Sequence, residues 1–162
     1  MSENPLTHLN ERGEARMVDV TAKDVTTREA TARCRVTISA EVAQLLAAGE
    51  MPKGDALAVA RIAAIQATKR TPDLVPLCHP IAVHGVDVEV TLKSGETPHV
   101  EILATVRTAD RTGVEMEALT AAAVGGLTVI DMVKGKDRTA AIDGVVLLEK
   151  KGGRSGHWVR ES

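Results

Sequence analysis

Aromatic side chains are almost absent from this 162-residue chain, which has no Phe, no Tyr and a single Trp, Trp158. Val, Ile, Leu, Ala and Met must therefore fill the core. A planar ligand would be gripped by hydrogen bonds and aliphatic contacts, and modules that hold single-stranded nucleic acid on aromatic platforms are disfavoured. Cysteine is scarce as well. Cys34 and Cys78 form no CxxC pair, so a reduced, cytoplasmic protein is expected. No charge dominates: 20 Lys and Arg stand against 22 Asp and Glu, and no global field draws the chain to nucleic acid or membrane. No apolar run approaches bilayer-spanning length. The N-terminal stretch, MSENPLTHLNERGEARM, lacks the apolar segment of a secretory signal.

Periodicity supplies the architecture. Residues 1–16 have no period and are expected to form a flexible N-terminal arm ahead of one domain over 17–159. Ala32, Cys34, Val36 and Ile38 alternate with Arg33, Arg35 and Thr37, which reads as a half-buried strand over 30–38. A short helix over 40–48 follows Ser39 and ends at Gly49. Asp55 is placed to cap a second, Ala-rich helix reaching about residue 69. TPDLVPLCHP (71–80) has three prolines and is expected to be irregular. Two alternating runs, 86–92 and 100–108, flank the turn SGETP and predict a hairpin. A long Ala-rich helix over 113–134 and a strand over 142–148 complete the pattern, and the tail KKGGRSGHWV reads as irregular. The order βαββαβ is that of an α+β, ferredoxin-like domain: an antiparallel sheet with helices packed on one face, and the helix 40–48 as an insertion. Arg33, Arg35, Glu89, Glu101 and Arg107 would face water or a second subunit from the other side of the sheet.

Chemistry concentrates at a few places. Asp131 and Lys134 are three apart on the long helix and share a face, so a carboxylate can orient a lysine as an acid/base unit. A helix-end salt bridge is the plainer reading. Lys53-Gly54-Asp55 lies where a loop enters a helix, a place that suits either an anion cradle or an ordinary capped start. Prolines on either side of Leu77-Cys78-His79 stiffen that loop and present His79 in a fixed direction, as an anion ligand, a proton donor or a structural histidine. A zinc site would need further ligands at suitable spacing. Thr112-x-x-Glu115 fits a capping box, and Glu117, two residues on, would point away from Glu115 along a regular helix. Glu115 and Asp131 are sixteen residues apart, about 24 Å on a continuous helix. They can meet around one ligand only if Gly125-Gly126 breaks the helix, if the ligand is long, or if sites are shared between subunits. Sharing suits an Ala/Gly helix that packs closely.

With TPDLVPLCHP, TGVEMEALTAA, IDMVKGKD and the KGGRSG tail in view, the chain resembles the cyclic pyranopterin monophosphate synthases of molybdenum cofactor biosynthesis, over about residues 6–156. Pro72, where an aromatic often follows the Thr, and the closing HWV depart from the family pattern. The resemblance implies a ferredoxin-like fold in a homohexamer built as a trimer of dimers, with the active site at a subunit interface. It implies conversion of 3′,8-cyclo-7,8-dihydroguanosine 5′-triphosphate, made from GTP by a radical cyclase, into cyclic pyranopterin monophosphate and diphosphate. It implies Asp131 as the essential acid and Lys53 and Lys134 as the acid/base pair. Leu77, Cys78 and His79 fall in its substrate loop, Glu115, Met116 and Glu117 in the segment holding the purine-derived ring, and Arg28 and Lys150 at basic positions facing the triphosphate. No redox cofactor and no protein-bound metal are implied, although Mg2+ can accompany the triphosphate. A non-catalytic nucleotide-binding module on the same fold is the competing class, and it needs the basic loops but not the Asp131/Lys134 couple.

Overall fold

The computed structural model describes residues 8–161, and residues 1–7 of the expected arm lie outside them. Alternation of small apolar and polar side chains builds four long strands: β1 (Thr26–Thr37), β2 (Gly85–Lys93), β3 (His99–Asp110) and β4 (Ala141–Lys151). They run antiparallel in the order β2-β3-β1-β4, and β5 (Trp158–Val159) adds to the outer edge of β4. Ala32, Cys34 and Val36 of β1 sit opposite Ala104, Ile102 and Val100 of β3, so the centre of one sheet face is apolar. Helices α1 (Ala40–Ala48), α2 (Ala56–Thr68), α3 (Thr71–Leu74) and α4 (Glu115–Val133) complete the α+β, ferredoxin-like domain. The principal pair, α2 and α4, packs against each other and on the apolar sheet face.

Small residues set the distances between these layers. Ala60 and Ala64 of α2 and Ala118, Ala121 and Ala122 of α4 are fully buried. Gly125-Gly126 does not break α4, which is continuous over 19 residues. A Cβ on Gly125 would stand 3.2 Å from Ile102 Cγ2, and one on Gly126 would stand 2.5 Å from Cys34 Sγ. The two glycines are there for close helix–sheet approach. Burial beneath Gly126 also pushes the Cys34 thiol up to about 11, which leaves it inert.

Four expectations are corrected. The first residues of the proline-rich stretch form α3, because Pro72 sits in a first turn, where its missing N–H is no loss. The tail is not wholly irregular: Trp158 and Val159 pair with Lys150 and Glu149. The Thr112/Glu115 capping box does not form, since α4 is N-capped at Val114 without a side-chain bond. Finally, α4 does reach the length and apolarity of a membrane span, although much of it is buried against α2 and the sheet, with Leu127 left exposed. On the opposite sheet face Arg107 bridges Glu29 (2.7 Å) and Asp87 (2.6 Å), and Lys151 pairs with Glu29 at 3.0 Å.

Candidate active site

The last turn of α4 carries the first cluster. Lys134 Nζ stands 2.7 Å from Asp131 Oδ1, as the i,i+3 spacing dictates. From the loop between α1 and α2, Lys53 Nζ donates to the Asp131 carbonyl oxygen (2.8 Å) and to Oδ2 (3.1 Å). That carbonyl belongs to the last turn, where the helix leaves acceptors unpaired and its dipole favours cations. The Lys134 hydrogen bond, followed by that from Lys53, holds the Asp131 carboxyl below its ordinary range. All three side chains are exposed, so the Lys–Asp–Lys cluster is a knot on the surface.

The local backbone explains the convergence. Gly49, in the left-handed region, ends α1, and Asp55 accepts the Ala58 N–H (2.9 Å) to open α2. Lys53 thus sits on a short loop anchored at both ends. Asp55 caps the helix start and Lys53 reaches Asp131, the geometry of the ordinary capped start with its lysine engaged. Just after α4, the buried Asp137 accepts from Ser39 N (2.7 Å), Thr139 N (2.8 Å) and Thr139 Oγ1 (2.6 Å). These bonds, the Thr139 hydroxyl first, hold its carboxyl below the usual range and tie the Lys134 end of the helix to the start of α1.

At the N-terminal end of α4 two adjoining cavities share Lys23, Thr112, Gly113 and Glu115. The larger, about 720 Å3, presents Lys23, Arg28, Lys150 and Arg154 against Asp24 and Glu115, four cations to two acids. Lys150 Nζ pairs with Glu115 Oε1 at 3.3 Å and also donates to Ser155 Oγ. The smaller, about 380 Å3, combines aliphatic walls from Val18, Val20, Leu77 and Met116 with Cys78, His79, Glu115 and Glu117. His79 Nε2–H donates to the Val18 carbonyl oxygen (2.7 Å), which fixes its tautomer when neutral and binds the segment before β1 to this loop. Among the described residues no three His, Cys, Asp or Glu side chains gather as metal ligands.

The two glutamates of α4 do share one cavity, contrary to the reading that spacing alone suggested. Glu115 is the first helical residue, and its carboxylate folds back over Gly113, where a Cβ would come within 1.8 Å of Oε2. Glu117 is only 3% exposed. Burial, with a smaller contribution from the Glu115 charge, pushes its carboxyl up to about 7. Burial and Glu117 together push the Cys78 thiol up, which makes it a poor nucleophile.

The candidate residues therefore fall into two groups. Leu77, Cys78, His79, Glu115, Met116 and Glu117 meet in one cavity, and Arg28 and Lys150 join Glu115 in its neighbour. Lys53, Asp131 and Lys134 meet at the far end of α4, about 24 Å away at 1.5 Å per residue. Inspection of the sequence missed Lys23, Arg154, Ser155 and the Val18–Val20 wall. The only signal for Arg154 and Ser155 was the glycine-rich run KKGGRSG.

A ferredoxin-like α+β domain with a Lys–Asp–Lys knot and a cationic cleft at opposite ends of its core helix is a frame that suits a small-molecule enzyme. The chain belongs to the MoaC family, whose pattern matches residues 17–153. It is 60% identical over 156 residues to a cyclic pyranopterin monophosphate synthase of Roseiflexus castenholzii, covering 96% of this chain and 98% of that one. It is similarly 57% identical over 159 residues to the synthase of Streptomyces avermitilis (98% and 92% covered), and 54% over 162 residues to that of a Nocardioides species (99% of each).

Proposed function

We propose that this chain is a cyclic pyranopterin monophosphate synthase of molybdenum cofactor biosynthesis, a lyase that converts 3′,8-cyclo-7,8-dihydroguanosine 5′-triphosphate to cyclic pyranopterin monophosphate with release of diphosphate. The observation that carries the reading is the Lys53–Asp131–Lys134 knot, because a plain nucleotide-binding module needs no such couple. The reaction opens a purine-derived ring, closes a pyranopterin and expels diphosphate as a cyclic phosphate forms. It is redox-neutral, so protons and charge are what the protein must manage, and Mg2+ can accompany the triphosphate.

Each part of the geometry supports a role. Asp131, ionised, holds Lys53 and Lys134 side by side, one to take a proton and the other to give one. Glu117, titrating near neutrality, exchanges hydrogen bonds with the N–H and N groups of a guanine-type edge, and Leu77 and Met116 supply the apolar contacts that aromatic rings would supply elsewhere. Arg28 and Lys150 oppose the charge that develops on the departing diphosphate, chemistry that is mainly positioning. The separation of the two groups along α4 supports a site shared between subunits, with Asp131 of one protomer completing the cleft of another in a homohexamer of three dimers. The enzyme would act in the cytoplasm on the product of the radical GTP 3′,8-cyclase.

An anaerobic incubation with the cyclised GTP intermediate tests the reading. Diphosphate and pterin are expected in equal amounts, and Lys53→Ala should stop both. An intermediate that binds without turning over would make the chain a binding module and remove the roles given to Asp131 and the lysines.

A further inference from the structure

The segment 152–156 joins β4 to β5 and carries three glycines in the left-handed region, Gly152 (φ 90°), Gly153 (φ 75°) and Gly156 (φ 64°). They do not stand in the same surroundings. A Cβ on Gly156 would meet nothing within 4 Å. One on Gly152 would stand 2.2 Å from the Thr27 carbonyl oxygen, so the loop lies directly on the backbone of β1. One on Gly153 would stand 2.1 Å from Arg28 Nη1 and 2.9 Å from Cζ. A side chain at Gly153 would push that guanidinium out of its present position.

Arg28 is held from another side as well. Its Nε donates to the Asp110 carbonyl oxygen at the end of β3 (3.3 Å), which leaves its terminal nitrogens for the cleft that it lines. The same loop steadies the second cation of the cleft, since Ser155 Oγ accepts from Lys150 Nζ. Beyond the loop the chain is pinned back on the sheet. Arg160 donates N to the Leu148 carbonyl (2.8 Å) and Nε to the Leu147 carbonyl (2.7 Å), and His157 Nε2 meets Glu149 Oε1 at 2.6 Å.

We propose that the 152–156 loop, clasped by β5, is a positioning device for a polyphosphate subsite, in which Gly153 sets the Arg28 guanidinium by giving it a surface without a side chain and Ser155 sets Lys150. The ligand class is the diphosphate portion of a nucleotide-type substrate, and in naming that substrate the inference rests on the reading above. Gly153 and Ser155 are positioning residues. They act through Arg28 and Lys150, whose charges are what a phosphate meets. A glycine needed only for its backbone angle would behave like Gly156, whereas one needed for the room beside Arg28 has an effect only while Arg28 is present.

The test is calorimetric titration of the full chain with inorganic diphosphate, for wild type, Gly153→Ala, Gly156→Ala, Arg28→Ala and the Arg28→Ala/Gly153→Ala double variant, each first checked for cooperative melting. Gly153→Ala is expected to weaken binding by about tenfold or more, the loss of one charge-assisted hydrogen bond. Gly156→Ala should stay within about threefold of wild type, since it shares the backbone angle but not the neighbour. In the Arg28→Ala background, Gly153→Ala should change nothing further. Wild type that does not bind diphosphate, equal losses in Gly153→Ala and Gly156→Ala, or additive losses in the double variant would each overturn the proposal. If Gly153→Ala fails to melt cooperatively, Ser155→Ala takes its place against Lys150→Ala in the same cycle, and additivity there is equally fatal. Diphosphate binding is read without turnover. A chain that shows the coupling yet leaves the cyclised nucleotide unchanged would therefore lose the functional reading alone.

Discussion

At the C-terminal end of α4 three exposed side chains meet, two of them from a single turn, whereas at its N-terminal end the clefts draw on stretches 8–28, 77–79, 112–117 and 150–155. The first end is open to water. The second buries a carboxyl that titrates near 7 and keeps a Lys–Glu pair less than one-third exposed. The difference suits a division of labour. Under the proposed roles, lysines that exchange protons with a ligand gain from open access, while a cavity that recognises a ring gains from burial, where each hydrogen bond counts for more.

The sharpest way to break the comparison is to disable each end separately. Asp131→Ala and Arg28→Ala, each assayed alone, should lose about 100-fold or more in turnover, the usual worth of a positioned acid/base or phosphate-binding group. If the ends cooperate only across subunits, dissociating the two dead variants and reassembling them together should restore roughly a quarter of wild-type activity, because mixed dimers regain one intact site. Assembly without any recovery would confine each site to one chain.

A smaller effect, on stability, belongs to the first end. Asp137→Ala should cost about 3 kcal/mol in denaturant titrations, since it strands the Ser39 and Thr139 donors around a buried position. Because the native carboxyl lies below its unfolded value of 3.8, its contribution is present above that value and is lost as pH falls through the native one. Turnover should also fall in this variant if the network is what steadies Lys134.

The most diagnostic effect is at the second end. Glu117 has its native value raised from 4.5 to about 7, so the native state favours the protonated form. Its contribution is intact below about pH 4.5, declines as pH rises, and is fully lost above about 7. Glu117→Gln should accordingly stabilise the protein by about 3 kcal/mol at pH 8 and by less than about 1 kcal/mol at pH 5. An equal effect at both pH values would mean that Glu117 is hydrated and that the second cavity is as wet as the first end. A stabilising substitution that impairs turnover is the expected trade-off at a site built for binding.

The ease with which each end could be read from the sequence follows its construction. Asp131 and Lys134 belong to one helical turn, so their contact was legible from spacing. The ferredoxin-like order was legible for a similar reason, since alternation in 30–38, 86–92 and 100–108 is a local property of the chain. Lys53 was marked by its loop, but its choice of Asp131 over the start of α2 depends on where two distant elements pack. The clefts were legible only in pieces. His79, Glu117 and Lys150 each stood out, yet nothing local says that the Val18 carbonyl accepts a hydrogen bond from His79 or that Glu115 turns back over Gly113 to meet Lys150. Arg154 and Ser155 lay in a tail that looked irregular because two residues of strand are too short to show a period.

What the sequence by itself determined was the set of elements, their order and the apolar face of each, together with the residue types that carry chemistry, because periodicity and composition act over neighbouring residues. What only the tertiary structure decided was the environment of those residues. The burial of Glu117, the hold of Lys53 on Asp131 and the bare surface that Gly153 offers Arg28 depend on segments remote in the chain. Such contacts exist only once the alanines and glycines of α2 and α4 have closed against the sheet.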